Sequence, residues 1–212
     1  MKKTKIFDIS PEISITTAVF PGDTPFSRNE VMSTKNGEHL TLSSISTTVH
    51  IGAHTDAPNH YHQDGCDIAS RDLNYYIGNC QVIEISLPRN SRIQITDIDN
   101  IEISAPRILF KTNSFPDPNQ WNGDFNALSA ELVKYLKSKG CQLIGIDTPS
   151  VDLANDKELE SHLAIYENDM AILEGVVLND IKPGIYKLIA APLKIKDADA
   201  SPVRAILIEG SL

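Results

Sequence analysis

Residues 129–147 read SAELVKYLKSKGCQLIGID, and the two halves of this stretch obey different periods. Ser129 offers a side-chain acceptor for a helix N-terminus, Leu132, Val133, Tyr135 and Leu136 form an apolar stripe at helical spacing, and Gly140 supplies a stop. The short aliphatic run at 142–147 then has the pattern of a buried strand. A helix that feeds straight into a strand predicts a mixed α/β domain with at least one crossover. Working outward, further strands are predicted over 81–87 (QVIEISL), 107–111 (RILFK), 186–190 (YKLIA), 203–209 (VRAILIE) and 41–51, with a second helix over 155–164. The polar stretch 113–124 reads as a surface loop, and its Trp121 is expected to be partly buried. No linker or repeat divides the chain, so residues 1–212 are read as one domain.

The chain has 212 residues, 41% hydrophobic and 22% charged, which is the composition of an ordinary soluble globular protein. Its 19 basic and 28 acidic side chains give a formal charge of 19 − 28 = −9, which repels phosphate backbones and argues against nucleic acid as a partner. No stretch approaches the roughly 20 apolar residues of a membrane span. The lysines near the start are not followed by the apolar run of a signal peptide, and Cys66, Cys80 and Cys141 lack the spacing of a disulfide framework. A cytoplasmic protein with reduced thiols is expected.

Of the six histidines, five (His39, His50, His54, His60 and His62) are crowded into one short segment. Residues 47–64 read TTVHIGAHTDAPNHYHQD. His50 and His54 have helical i, i+4 spacing, but the β-branched residues before them and the intervening Gly52 favour a strand. In an extended chain His50, Gly52, His54 and Asp56 share one face, with Val49, Ile51 and Ala53 on the other. On this reading Gly52 leaves room for an ion or substrate, and Pro58 turns the chain so that His60 comes back towards the same face. Imidazoles with a carboxylate suit Zn²⁺ or Mn²⁺ rather than Ca²⁺. His39 and His62 fall outside the spacing and are expected at the surface or in supporting positions.

Asp56 has two oxygens and can bridge to a second ion if further donors exist. His162 and Glu174 are the candidates. On one continuous helix they would lie about 120° apart, but Asn168 and Asp169 predict a break between them. Glu174 is the single charge in the apolar run 170–178 (MAILEGVVL), where a carboxylate is costly unless paired or metal-bound. Spacing alone fits equally well a solvent-facing Glu174 and a helix-capping His162.

The run 50–60 (HIGAHTDAPNH) resembles the HxGTHxDxPxH signature of the cyclase-like metal-dependent hydrolases, especially the bacterial kynurenine formamidases, or arylformamidases. The likeness continues through FDISPEI (7–13), FPGDTPF (20–26), LIGIDTPSVD (143–152), MAILEGVVLND (170–180) and DASPVRAIL (199–207), in the same order. The resemblance implies a single β-rich α/β domain with a barrel-like mixed sheet core flanked by helices, of the swivelling β/β/α type. It implies two divalent ions, zinc foremost and manganese as the alternative. One would sit on His50, His54 and Asp56, with Asp56 bridging to a second on His162 and Glu174. His60 would be the proton donor and acceptor. The implied reaction is hydrolysis of N-formyl-L-kynurenine to L-kynurenine and formate in tryptophan catabolism, by a hydroxide that the metals generate, in a homodimer that takes a small aromatic formamide.

Two positions depart from the family pattern. Ala53 replaces the usual Thr, and Phe20 replaces the Trp that often precedes PGD, which makes Phe20 the candidate contact for the aryl ring. Other readings are a hydrolase of isatin or another small amide or lactone, and a metal-dependent binding module without turnover. Serine-hydrolase chemistry lacks its GxSxG elbow.

Overall fold

The computed structural model describes residues 4–210; the lysines near the start, Lys2 and Lys3, lie outside them. The chain begins with β1 (Lys5–Asp8), a hairpin of β2 (Ser27–Met32) and β3 (Leu42–Ser46), and the short β4 (His54–Asp56). It continues through β5 (Ile77–Glu84), β6 (Arg92–Ile93), β7 (Arg107–Lys111), β8 (Ala127–Leu128) and the helix α1 (Ala130–Ser138). There follow β9 (Leu143–Ile146), the helix α2 (Glu160–Glu167), β10 (Ala171–Leu173), β11 (Gly184–Ile189), β12 (Ala200–Pro202) and β13 (Ile206–Glu209).

Seven strands form one mixed sheet in the order β1-β13-β11-β5-β7-β9-β10. Neighbours from β5 to β10 are parallel, and β11, β13 and β1 extend the sheet antiparallel. The parallel half has little polarity because both of its faces are covered. Ile83, Ile108, Phe110, Ile144, Ile146 and Ile172 point to one core, shared with Leu132, Val133 and Leu136 of α1 and Ile165 of α2. Val82, Leu109, Leu143, Ala171 and Leu173 alternate with them into a second core beneath Ile9, Tyr76 and Leu178. This is the mixed α/β architecture expected, with α1 and α2 each lying on a crossover between parallel strands.

Ser129 caps α1 by accepting from the Leu132 amide at 3.2 Å, and Gly140 adopts φ +85° just past its end, as the sequence predicts. Other boundaries differ. The strand predicted over 203–209 is formed only from Ile206, because the Val203 amide is instead drawn to the Ala53 carbonyl at 2.9 Å, continuing the pairing of β12 with the β4 segment. The second helix starts at Glu160 rather than 155, after Leu159 in the left-handed region. Trp121 is half-buried, and its ring packs edge-on against Phe20, Phe115 and Phe125. Among the described residues no helix is long and apolar enough to cross a membrane.

Candidate metal centre and active site

The predicted extended run at 47–56 is an extended strand only at its end. The chain leaves β3 at Ser46, turns at residues 49–53 with Gly52 at φ +59°, and is a strand only over β4. Gly52 lines the cleft beside the ligand cluster, but from a left-handed turn rather than a strand face. A Cβ there would meet the Pro11 side chain at 3.2 Å, and glycine is used for the left-handed backbone. The turn has a chemical consequence as well. The Gly52 carbonyl lies 2.9 Å from His54 Nδ1, and a carbonyl only accepts, so Nδ1 carries a proton and Nε2 is the nitrogen turned towards Asp56 and Glu174.

Two short ladders hold β4 in place. Ala200–Pro202 pairs with it on one side, so that Ala200 faces Asp56. On the other side His54 and Glu174 exchange backbone hydrogen bonds of 3.1 and 2.9 Å, which sets two candidate ligands directly opposite one another. Glu174 follows β10 at the carboxyl end of the parallel strands, the end of such sheets at which ligands bind. The next residue, Gly175, has φ +66°, and a Cβ there would collide with the Gly52 carbonyl oxygen. Gly175→Ala must therefore push apart the two segments that carry the ligands. It is expected to destabilise the protein by about 3 kcal/mol, from left-handed strain plus overpacking, and to lower the bound metal. A melting curve and a metal assay superimposable on wild type would refute this.

The predicted residues converge. Asp56 is buried, with Oδ1 at 3.0 Å from His50 Nδ1 and 3.6 Å from His54 Nε2, and Oδ2 at 3.4 Å from His162 Nε2. Glu174, also buried, reaches His54 Nε2 at 3.0 Å through Oε2, while its Oε1 accepts from the Val151 amide at 2.7 Å. The solvent-facing alternative for Glu174 is thereby excluded. The break between His162 and Glu174 is real: α2 ends at Glu167, Asp169 has φ +43°, and the chain re-enters the sheet as β10. The turn at Pro58–His60, with Pro58 in its first position, brings the His60 ring to 4.2 Å from that of His50. His39 is exposed and His62 stacks on Tyr166 at 3.8 Å, so neither joins the site.

Two acidic residues complete the arrangement that the spacing reading left out. Asp152 lies 2.8 Å from His162 Nδ1, accepts from the His162 amide at 3.1 Å, and is paired with Arg92 at 2.7 Å. Asp199 lies 2.9 Å from His50 Nε2. Both belong to segments that carry the family resemblance, but neither has histidine spacing to betray its role. With them, each of the three imidazoles that face Asp56 is backed by an acceptor on its far nitrogen, the arrangement that orients metal-ligating histidines.

This donor set fits a divalent metal. Both Asp56 oxygens are buried without a hydrogen bond, a costly state for a carboxylate unless a cation satisfies it. The donor atoms of His50, His54 and Asp56 lie within 4.8 Å of one another, as do those of Asp56, His60 and His162. Burial disfavours the imidazolium forms, but the negative charge of Asp56 beside it holds His50 up at about 9, and the hydrogen bond to Asp152 holds His162 up at about 10. Both values exceed the ordinary 6.5. In the metal-free protein these protons thus stabilise the fold fully below that value, and their contribution is lost as the pH rises through the folded-state values. A metal ion must displace them. Zinc uptake by the metal-free protein near neutral pH is expected to release about two protons, measurable as a dependence of the calorimetric enthalpy on buffer ionisation. Binding enthalpies independent of the buffer would contradict it.

The centre opens into a cleft of about 460 Å³, within the range of small-molecule sites. Phe20, Pro21, Phe115, Leu159, Val176 and Val177 supply its apolar walls. Phe20 is thus placed at the cleft, where an aryl contact requires it.

The Cyclase family model matches residues 7–153. The chain belongs to the Cyclase family. It is 41% identical over 206 residues to a kynurenine formamidase of Maricaulis maris (strain MCS10), covering 97% of this chain and 98% of that protein. Among solved structures, it superposes on a potential metal-dependent hydrolase with cyclase activity at a TM-score of 0.86, with 25% identity over 99% of this chain and 100% of the other. Isatin hydrolase A from Labrenzia aggregata shares the fold at a TM-score of 0.82 and 20% identity, over 98% of this chain and 94% of that one. The family-matched region contains His50, His54, Asp56 and His60; His162, Glu174 and Asp199 lie beyond it, in a part of the chain that the formamidase also spans.

Proposed function

We propose that this chain hydrolyses N-formyl-L-kynurenine to L-kynurenine and formate, a step of tryptophan catabolism. The observation that carries the reading is the buried, hydrogen-bond-free Asp56 carboxylate ringed by three imidazoles and Glu174, with His60 beside it at the mouth of an aromatic-walled cleft. The likeness to a kynurenine formamidase over nearly the whole chain supports it.

His50, His54, Asp56, His162 and Glu174 would hold two divalent ions. Zinc suits this nitrogen and oxygen set best, and manganese is the alternative. Bound there, the ions supply a Lewis acid for the formyl carbonyl and lower the pKa of an attacking water. The chain's own residues do the remaining work. His60 is the most exposed imidazole of the cluster, with its side chain at 36%, and is therefore the one able to reach a substrate in the cleft. It accepts a proton from the attacking water and returns it to the anilide nitrogen as the C–N bond breaks, a role suited to an imidazole near neutral pH. Phe20, held edge-on against Trp121 at 4.8 Å, offers its ring to the aryl group.

The β2–β3 hairpin supports a homodimer. Val31, Leu42 and Ile45 are more than half exposed on it, and a two-stranded ribbon is only marginally stable without cover. A second copy is the occupant we assign, in a protein that we place in the cytoplasm. The deciding experiment is the turnover of purified, zinc-loaded protein, followed as formate release from N-formyl-L-kynurenine alongside ring opening of isatin. Faster turnover of formylkynurenine is expected. Preferential opening of isatin would replace this substrate assignment with the cyclic-amide reading while keeping the chemistry.

A further inference from the structure

Asp199 touches both functional halves of the centre. Its Oδ2 lies 2.9 Å from His50 Nε2 and 3.4 Å from His60 Nδ1, and it is neither among the five metal donors nor the proton-transfer group. Its backbone is tied to β4: the Asp199 carbonyl accepts from the Ala57 amide at 2.8 Å, and the next residue, Ala200, pairs with Asp56. The carboxylate is therefore fixed relative to Asp56 by main-chain hydrogen bonds rather than by a mobile loop.

An ionised carboxylate can only accept, so each ring nitrogen facing it presents an N–H. For His50 this leaves Nδ1, which faces Asp56 at 3.0 Å, as the nitrogen whose proton a metal ion would displace. For His60 it leaves Nε2 as the nitrogen able to exchange protons. We propose that Asp199 is a positioning residue that fixes the tautomers of His50 and His60 together, so that one carboxylate prepares a metal ligand and the acid/base group in the same stroke. The kinetic part of this inference rests on the hydrolase reading above; the ligand part does not.

The test uses Asp199→Ala and Asp199→Asn in the full chain. The side chain is half-exposed, at 48%, so its removal opens no buried void, and thermal melts of the metal-free variants check the fold. Metal-free Asp199→Ala is expected to bind zinc about 10- to 100-fold more weakly than wild type in competition with a chromophoric chelator. Asp199→Asn, which keeps one acceptor oxygen but not the charge, is expected between the two. Nitrogen chemical shifts of labelled histidines should show His60 losing its single tautomer in Asp199→Ala. In the zinc-saturated enzyme kcat should fall with little change in KM, and Asp199→Ala should add no further loss of kcat to His60→Ala while still weakening zinc binding.

Unchanged zinc affinity with an unchanged His60 tautomer overturns the proposal. So does a loss of kcat that multiplies fully with that of His60→Ala, because Asp199 would then act independently of that ring. A wild-type protein inert towards aryl formamides would defeat the functional reading instead, and the zinc and tautomer measurements would still decide the role of Asp199.

Discussion

Asp56→Asn is expected to lower formamide turnover by about 10³-fold or more and to weaken metal binding throughout the centre. The substitution keeps the shape of the side chain and removes its charge. Both Asp56 oxygens are buried and accept no hydrogen bond, with the nitrogens of His50, His54 and His162 at 3.0, 3.6 and 3.4 Å. An amide there must turn its NH₂ towards one of these nitrogens or towards a metal ion, leaving a buried donor unsatisfied at about 1–3 kcal/mol. The loss of an anionic donor would also weaken a Lewis acid bound there, an effect of several kcal/mol, and about 4 kcal/mol of lost transition-state stabilisation is already a factor near 10³. Metal content and kcat should fall together. An Asp56→Asn protein that keeps its full metal complement and its turnover would remove Asp56 from the centre.

The parts of this centre that were legible in the sequence are those where one residue type is costly without a partner. Glu174 alone among apolar residues and the crowded histidines announced themselves, and the structure brings Glu174, His50, His54, Asp56, His60 and His162 together. The local backbone was less legible. Strict alternation placed His50 and Gly52 on a strand face with His54, but β-branched residues favour extension only until a tertiary contact overrides them. Here the close approach of Gly175 to Gly52 and the bridge from His54 to Glu174 impose a left-handed turn instead. Asp152 and Asp199 were invisible to spacing for another reason. An orienting carboxylate is selected by the direction of a ring nitrogen in space, and neither the 10 residues from Asp152 to His162 nor the 149 from His50 to Asp199 encode that direction. The sheet followed the opposite rule. Its parallel strands are buried on both faces, so that period, length and composition all point the same way, and 107–111 was legible to the residue.

His60→Ala is expected to reduce kcat by about 10²- to 10⁴-fold, the usual share of a general acid–base group, while zinc affinity stays close to wild type. The second clause is the more discriminating. The His60 donors lie within reach of Asp56 and His162, and of His50 and Asp199, so distance alone would allow it to be a ligand. Its environment argues otherwise. The His60 side chain is 36% exposed, whereas those of His54 and His162 are 2% and 4%, and among the described residues it has no backing hydrogen bond comparable to that of Asp152 on His162. An open imidazole oriented from behind by Asp199 at 3.4 Å keeps its other nitrogen facing the cleft, as proton transfer requires and ligation does not. A series of ring-substituted formanilides separates proton delivery from mere packing. Electron-withdrawing groups make the aniline a better leaving group that needs less protonation, so the deficit of His60→Ala should shrink steadily along the series. A deficit of the same size for every leaving group, or a zinc affinity that falls with the substitution, would assign His60 to orientation or to ligation instead of proton transfer.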